Sequence, residues 1–448
     1  MDLDHATPIH SSTMPNLPQE LVEAVIDSVV LLPKRTGGSW QQTPDHIITL
    51  QSCSLVCKNW LPRSRRHLFH TFKIDAYADW RAGADIARKF EPLMETNDHP
   101  SCLPPEVTCL VRNLRISALD KLIAALTVNQ DFLGCLPFTA LTGIEIINEP
   151  AIDPEHPVFD GSCIDTRLLL AKNDMLESLR IYYASFSCCR DLMEMVLPLQ
   201  KNLQFHTLDL EWIHIPDEPD KEDDEEEEDE VKERLRLELL DYLAHRPGVT
   251  NQPSCQLRTL KYRIVDVRVL EPLFLHPNSV FDLLTLEQLE FNFDSMNGFN
   301  WNPALQLLTR CESLVRLRMD VSCFVWYPSD ECKLDPTPFR HLKTLDCLEL
   351  DNMIDRSMDG CEQEHATVIR AIFTELSNLR CLRLHGSHDY YRIDESELDG
   401  SFDSALSTLP TFLREIQVDM NDFDDFLRLF PRACARGFVT GVQCEEHK

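Results

Sequence analysis

From about residue 106 onward, hydrophobic and polar positions follow one short pattern. An apolar residue stands three positions before a pair of apolar residues spaced by two, as in LTLEQLEF (284–291) and LSNLRCLRL (376–384). Alternation at period two predicts a strand with one buried face. The first members of the closing pairs are Leu114, Ile144, Leu179, Leu208, Leu260, Leu289, Leu317, Leu348, Leu382 and Ile416. Successive members lie 28 to 35 residues apart, except for the 52 between Leu208 and Leu260. Between them apolar residues recur at helical spacing, as at Leu119, Leu122, Ile123 and Leu126, and at Val368, Ile369, Ile372 and Phe373. The period predicts an α/β solenoid of about ten strand–helix units over 106–440, stacked because no single unit can bury its own apolar side. The competing prediction is another α/β architecture that shares only short parallel strands.

Successive strand residues alternate faces, so the residue inside each closing pair is predicted to look outward. These residues are Arg115, Glu145, Arg180, Asp209, Lys261, Glu290, Arg318, Glu349, Arg383 and Gln417, and nine of the ten are charged. A mixed-sign face of this kind suits a polypeptide partner, and equally describes an ordinary solvated sheet. Arg180, Tyr182, Lys261, Arg318, Glu349 and Arg383 are the candidates for contact with a protein target.

The pattern is different near the N-terminus. NLPQELVEAVIDSVV predicts an amphipathic helix opening at Pro18, with Leu21, Val22, Val25, Ile26 and Val29 on one half and Glu20, Glu23 and Asp27 opposite. After a loop, Thr43 and Pro44 start a second helix. It carries one apolar stripe of Leu50, Cys53, Cys57 and Trp60 and another of Ile48, Leu55 and Val56. A module of about 60 residues hides only about 60 % of its unfolded surface, so one stripe needs cover from the repeats or from another protein.

Charge sharpens this division. The chain has 448 residues, with 43 Lys and Arg against 74 Asp and Glu, and a net charge of −31. Such a surface repels a phosphate backbone, so a nucleic-acid partner is not expected. Residues 17–74 run the other way, with seven Lys and Arg against four acids. Residues 217–230 hold 12 acids in 14 positions and are expected to form a disordered insertion, either a tolerated surface loop or a docking tail for a basic partner. The expected organisation is a flexible tail at 1–15, the helical module at 16–74, a linker with a helix at 75–105, and the array at 106–440. No stretch has the apolar length of a membrane helix, and the N-terminus lacks the pattern of a secretory signal. The expected location is cytoplasmic, nuclear or both, with the 17 cysteines reduced.

Little in the sequence asks for catalysis. No HExxH, CxxC, GxSxG, GxxxxGK[ST] or GxGxxG motif occurs. Cys53 and Cys57, with His67 and His70, could share a metal, but they lie on an apolar stripe and are expected to pack. His385, His388 and Asp389 lack a positioned nucleophile. No catalytic residue, metal or cofactor is expected.

Leu17-Pro18, Glu20-Leu21 and Ile26, followed by CSLVCKNW and RRHLF, resemble an F-box, the adaptor-binding motif of substrate receptors in Skp-cullin-F-box (SCF) ubiquitin ligases. The array resembles degenerate leucine-rich repeats; the Asn usual three residues after the closing apolar residue occurs only as Asn421. Together they look like a fungal-type F-box protein with C-terminal leucine-rich repeats. The resemblance implies docking on a Skp-type adaptor, and through it on a cullin-RING ligase, by Leu17, Pro18, Leu21, Ile26, Leu55, Val56, Cys57 and Trp60. It also implies an unknown protein substrate on the repeats and no catalysis by this chain. An interaction scaffold outside any ligase carries the same signature.

Overall fold

The computed structural model describes residues 18–31, 44–56, 58, 60–75, 105–117, 136–147, 163–186, 189–214, 237, 241, 244, 255–265, 270–276, 279–292, 305–320, 334–354, 362–386, 400–419 and 423–442. The expected tail at 1–15, the linker helix, the apolar stretch 119–126, the acidic run 217–230, Leu17, Cys57 and Asn421 lie outside them. The chain divides into two compact units, Met1–Thr71 with Glu445–Lys448, and Phe72–Cys444.

The first unit contains α1 (Gln19–Leu31), α2 (Pro44–Val56) and α3 (Leu61–Leu68). Pro18 precedes α1, and its carbonyl accepts the Leu21 and Val22 N–H groups at 3.0 and 3.2 Å. Pro62, which interrupts the basic segment in the sequence, sits in the first turn of α3, where a missing N–H leaves no bond unmade. The apolar half of α1 divides in two: Val22 and Ile26 are buried with Leu50 of α2, while Leu21 and Val25 are exposed. Trp60 and Leu68 pack against this small core, and Cys53 is buried. Asp27 ties α1 to α3, accepting from Arg63 Nε and Nη2 at 2.7 and 2.6 Å and lying 2.8 Å from His67 Nε2. The Arg63 hydrogen bonds, against a small opposing effect of burial, draw the Asp27 carboxyl from 3.8 down to about 2. A carboxyl lowered on folding stabilises above its unfolded value and loses that contribution as pH falls through its folded one. Asp27→Asn should therefore lower the urea midpoint of α1–α3 unfolding at pH 6, and the difference from wild type should close between pH 3.8 and about 2. A constant difference across that range would exclude this role.

The second unit is mixed α/β, built on a 12-stranded parallel sheet. Its strands, in spatial order, are β1 (Thr71–Asp75), β2 (Asn113–Ser117), β3 (Gly143–Ile147), β4 (Ser178–Ser185), β5 (Thr207–His214), β7 (Thr259–Val265), β9 (Gln288–Asn292), β10 (Arg316–Asp320), β11 (Cys347–Ile354), β12 (Cys381–Gly386), β13 (Glu415–Asp419) and β14 (Val439–Val442). β6 (Cys255–Gln256) and β8 (Phe281–Asp282) pair separately. β1 begins inside the stretch 16–74 assigned from sequence to the helical module. Ile74 is buried in the sheet's core and Phe72 packs against it, so the apolar alternation of TFKID belongs to the sheet.

All ten apolar positions that define the sequence period fall in one row. Leu114, Ile144, Leu179, Leu208, Leu260, Leu289, Leu317, Leu348, Leu382 and Ile416 are successive register partners, and all are buried. A repeated hydrogen-bond device holds the register. One carbonyl before each strand accepts two N–H groups of the next unit: Arg112 O takes Thr142 and Gly143, Thr142 O takes Glu177 and Ser178, and the same continues through Arg380 O with Arg414 and Glu415. Two donors on one acceptor leave a neighbouring strand no freedom to slip by a residue, which would turn its apolar row to the other face.

Among the described residues the connections carry both α-helices and 3-10 segments. Where the spacing is 34 or 35 residues, α-helices return the chain, at Cys163–Lys172, Glu362–Glu375 and Ser401–Ser407. Val368, Ile369, Ile372 and Phe373 are the buried face of the second. Where it is 29, between Leu179 and Leu208, an α-helix at Cys189–Val196 runs into a 3-10 segment at Leu197–Lys201, and 3-10 segments also occur at Gln306–Arg310 and Thr337–His341.

Candidate functional site

The ten outward residues of the sequence period also form one row of register partners: Arg115, Glu145, Arg180, Asp209, Lys261, Glu290, Arg318, Glu349, Arg383 and Gln417. From Arg115 to Arg383 the charge alternates in sign at every step. Neighbouring parallel strands are about 4.8 Å apart, within reach of one side chain for the next. The residues consequently pair with one another and are half-buried or buried, which corrects the expectation of a simply solvated face.

The network is dense from β5 to β12. Arg263 Nη2 lies 3.4 Å from Asp209 and 2.7 Å from Glu211, and its Nε lies 3.7 Å from Glu290. Lys261 reaches Glu290 at 3.2 Å, and Arg318 bridges Glu290 at 3.7 Å and Asp351 at 2.9 Å. Tyr182 donates its hydroxyl to Asp209 at 3.0 Å, and burial, helped by the Asp209 charge, raises its phenol. Burial also raises the Glu211 and Asp351 carboxyls, partly offset by Arg263 and Arg318.

Glu349 is the centre of the strongest cluster, with its side chain only 2 % exposed. It pairs with Arg316, with Arg383 Nη1 at 3.3 Å and with His385 Nε2 at 3.4 Å. Burial alone would raise its carboxyl, but the neighbouring His385, the hydrogen bond from Arg316 and the charges of Arg316 and Arg383 outweigh it and bring the group down to about 2. Arg383 also donates to Gln417 on β13. Glu349 therefore organises the surface from beneath and is closed to an outside partner. Arg180 differs from its neighbours in forming no ion pair among the described residues.

One part of this face was missed from sequence. Tyr183 and Trp212 stand at matched positions on β4 and β5, with left-handed φ angles of 57° and 55°. Side chains in that region cost about 1–2 kcal/mol each, since Cβ crowds the following carbonyl. Their rings stack, with centroids 5.8 Å apart and planes at 19°, and Trp212 is 42 % exposed. The register runs from Tyr182 opposite Glu211 to Ala184 opposite Ile213, omitting this pair. Buried Ala184 and Ile213 are one residue out of phase with the alternation begun at Leu179 and Leu208. That phase slip was the available signal.

The other predicted positions lie on the helical unit. Pro18, Leu21, Leu55 and Val56 are exposed, Leu55 at 85 %, and Val25 and Ile48 join them as exposed large apolar residues. Ile26 is enclosed with Val22, one helical turn away, so it packs the unit's own core and offers no docking surface. Trp60 is half-buried against that same core. The exposed stripe of Ile48, Leu55 and Val56 is the second apolar face read from the sequence, and Arg65 and Arg66 are exposed as well. Among the described residues no helix is long and apolar enough to cross a membrane. The chain matches no family model and no curated protein.

Proposed function

We propose that the chain is a non-catalytic substrate receptor of an SCF-type ubiquitin ligase. Its three N-terminal helices act as an F-box docking a Skp-type adaptor, and its sheet acts as an irregular leucine-rich-repeat solenoid holding a protein target. The observation that carries this reading is the exposed apolar set Leu21, Val25, Ile48, Leu55 and Val56 on the helical unit. Water-exposed aliphatic side chains on adjacent helices gain most by meeting a partner's apolar surface. Arg65 and Arg66 favour an acidic partner. The alternating charges and the Tyr183–Trp212 stack support a polypeptide as the second ligand, since fixed charges select sequence while stacked rings supply contact area. Ubiquitin transfer would then follow from proximity, which raises the effective concentration of a target lysine without an acid or base from this chain.

A Skp-type adaptor co-expressed with the full chain should copurify with it. Leu55→Asp combined with Val56→Asp should weaken that capture by at least about 30-fold, the scale of losing an interface hot spot. Both side chains are exposed, so the fold should survive, whereas Trp60→Ala would disturb the core. Failure of wild type to capture the adaptor, or capture unaffected by the double substitution, overturns the assignment. Cullin in the same pull-down separates a ligase receptor from a scaffold that uses the F-box alone.

A further inference from the structure

We propose that Cys347 and Cys381 are a peroxide-sensitive thiol pair that closes into a disulfide between two neighbouring strands. They are the first residues of β11 and β12 and are direct register partners. Parallel neighbours stand about 4.8 Å apart, inside the roughly 4.4–6.8 Å between Cα atoms that a disulfide spans. Both are half-buried, hence within reach of a small oxidant, and both are free thiols. Closure also needs Cβ atoms roughly 3.5–4.5 Å apart. Each strand begins at its cysteine, just after a turn at 343–344 and a bend at 377–378, so the two thiols lie side by side at the strand ends.

The surroundings give the two sulfurs different roles. Arg383 lies two residues after Cys381 on the same strand face, whereas Cys347 Sγ lies 3.8 Å from Glu349 Oε1. Arg383 favours the charged Cys381 thiolate, whereas burial and the Glu349 charge disfavour one at Cys347. Cys381 is thus the attacking thiolate and Cys347 the resolving thiol. Cys381 sulfur attacks one oxygen of hydrogen peroxide; the O–O bond breaks, and hydroxide leaves and takes up the proton Cys381 had released, giving a sulfenic acid and one water. Cys347 then gives up its proton and attacks the Cys381 sulfur. The S–S bond forms, the S–O bond breaks, and hydroxide leaves with that proton as a second water. Two thiols are oxidised and one peroxide is reduced. Buried Cys255 and Cys311 contrast with Cys381, their thiols pushed up to about 12 by burial. This chemistry is independent of any adaptor or target.

The full-length chain is treated with hydrogen peroxide, alkylated, digested with trypsin and mapped by mass spectrometry. A linked product of peptides 344–356 and 381–383, two hydrogens lighter than their sum and lost on treatment with dithiothreitol, is expected. With Cys347→Ser, dimedone should trap a sulfenic acid on Cys381; with Cys381→Ser, Cys347 should remain unlabelled. Oxidation of exposed Cys109 without any 347–381 link overturns the proposal, as does labelling of Cys347 in the Cys381→Ser chain. If a serine variant loses its native circular dichroism, the wild-type peptide map decides alone.

Discussion

Glu349→Ala should lower the unfolding free energy of the sheet by about 1–3 kcal/mol, the loss when hydrogen bonds to a charged group are removed, because Arg316 and Arg383 keep 46 % and 31 % of their side-chain surface in water. The substitution strands Arg316, Arg383 and His385 around a carboxylate that had been 2 % exposed. Two cations would then face each other without the anion between them, in surroundings less screened than water. Chemical denaturation at pH 7, followed by tryptophan fluorescence, measures the loss; a change below about 0.5 kcal/mol, as at an ordinary surface site, would mean the cluster contributes nothing. The pH dependence gives a second check. Because folding lowers this carboxyl from 4.5 to about 2, its contribution is complete above 4.5 and disappears as pH falls through about 2. Wild type and Glu349→Gln should therefore differ most above pH 4.5 and converge in acid.

Ile26→Ala should unfold the helical unit. Removing most of a fully buried aliphatic side chain costs about 2–5 kcal/mol. Among the described residues, the core it would leave is Val22 and Leu50, with Trp60 and Leu68 at its border. A unit of about 60 residues has little stability in reserve, so this loss is comparable with all that it has. Limited proteolysis of the full chain should show new cleavage within 19–68. Leu55→Ala, at a side chain 85 % exposed, should leave the same bonds resistant. Equal resistance of the two variants would mean that the buried and exposed faces have been interchanged. The pair thus tests the division on which the docking proposal depends.

The sheet was legible because its signal is periodic and apolar. Ten residues chosen by spacing alone occupy one buried row, since a parallel register repeats the same environment at every strand. The connections were less legible, because short apolar runs such as those at Leu307–Leu308 and Phe339 serve 3-10 segments as well as α-helices. Charges were identified but their state was not. Nothing in the local sequence says that Glu349 meets Arg316, 33 residues earlier, and Arg383, 34 later. Two asparagines were sought in the wrong place: the leucine-rich-repeat pattern puts Asn after the strand, whereas buried Asn173 and Asn202 precede β4 and β5. There Asn202 donates to Leu176 O at 2.8 Å and Asn173 to Leu169 O at 2.9 Å. On the helical unit, amphipathicity marked an apolar half of α1 but could not divide it into Ile26 inside and Leu21 outside. That division depends on where α2 and α3 lie.

The alternating row gives the sheet a parity. Plus and minus follow each other from Arg115 to Arg383, so excising the single unit that carries Arg318 would set Glu290 beside Glu349, like charge against like. Excising two consecutive units would restore opposite neighbours, and so would duplicating two. Material added within a connection changes nothing, as Leu208 beside Leu260 shows across 52 residues. Such an array can lengthen its loops one residue at a time, but it keeps its electrostatic order only when whole units are gained or lost in pairs.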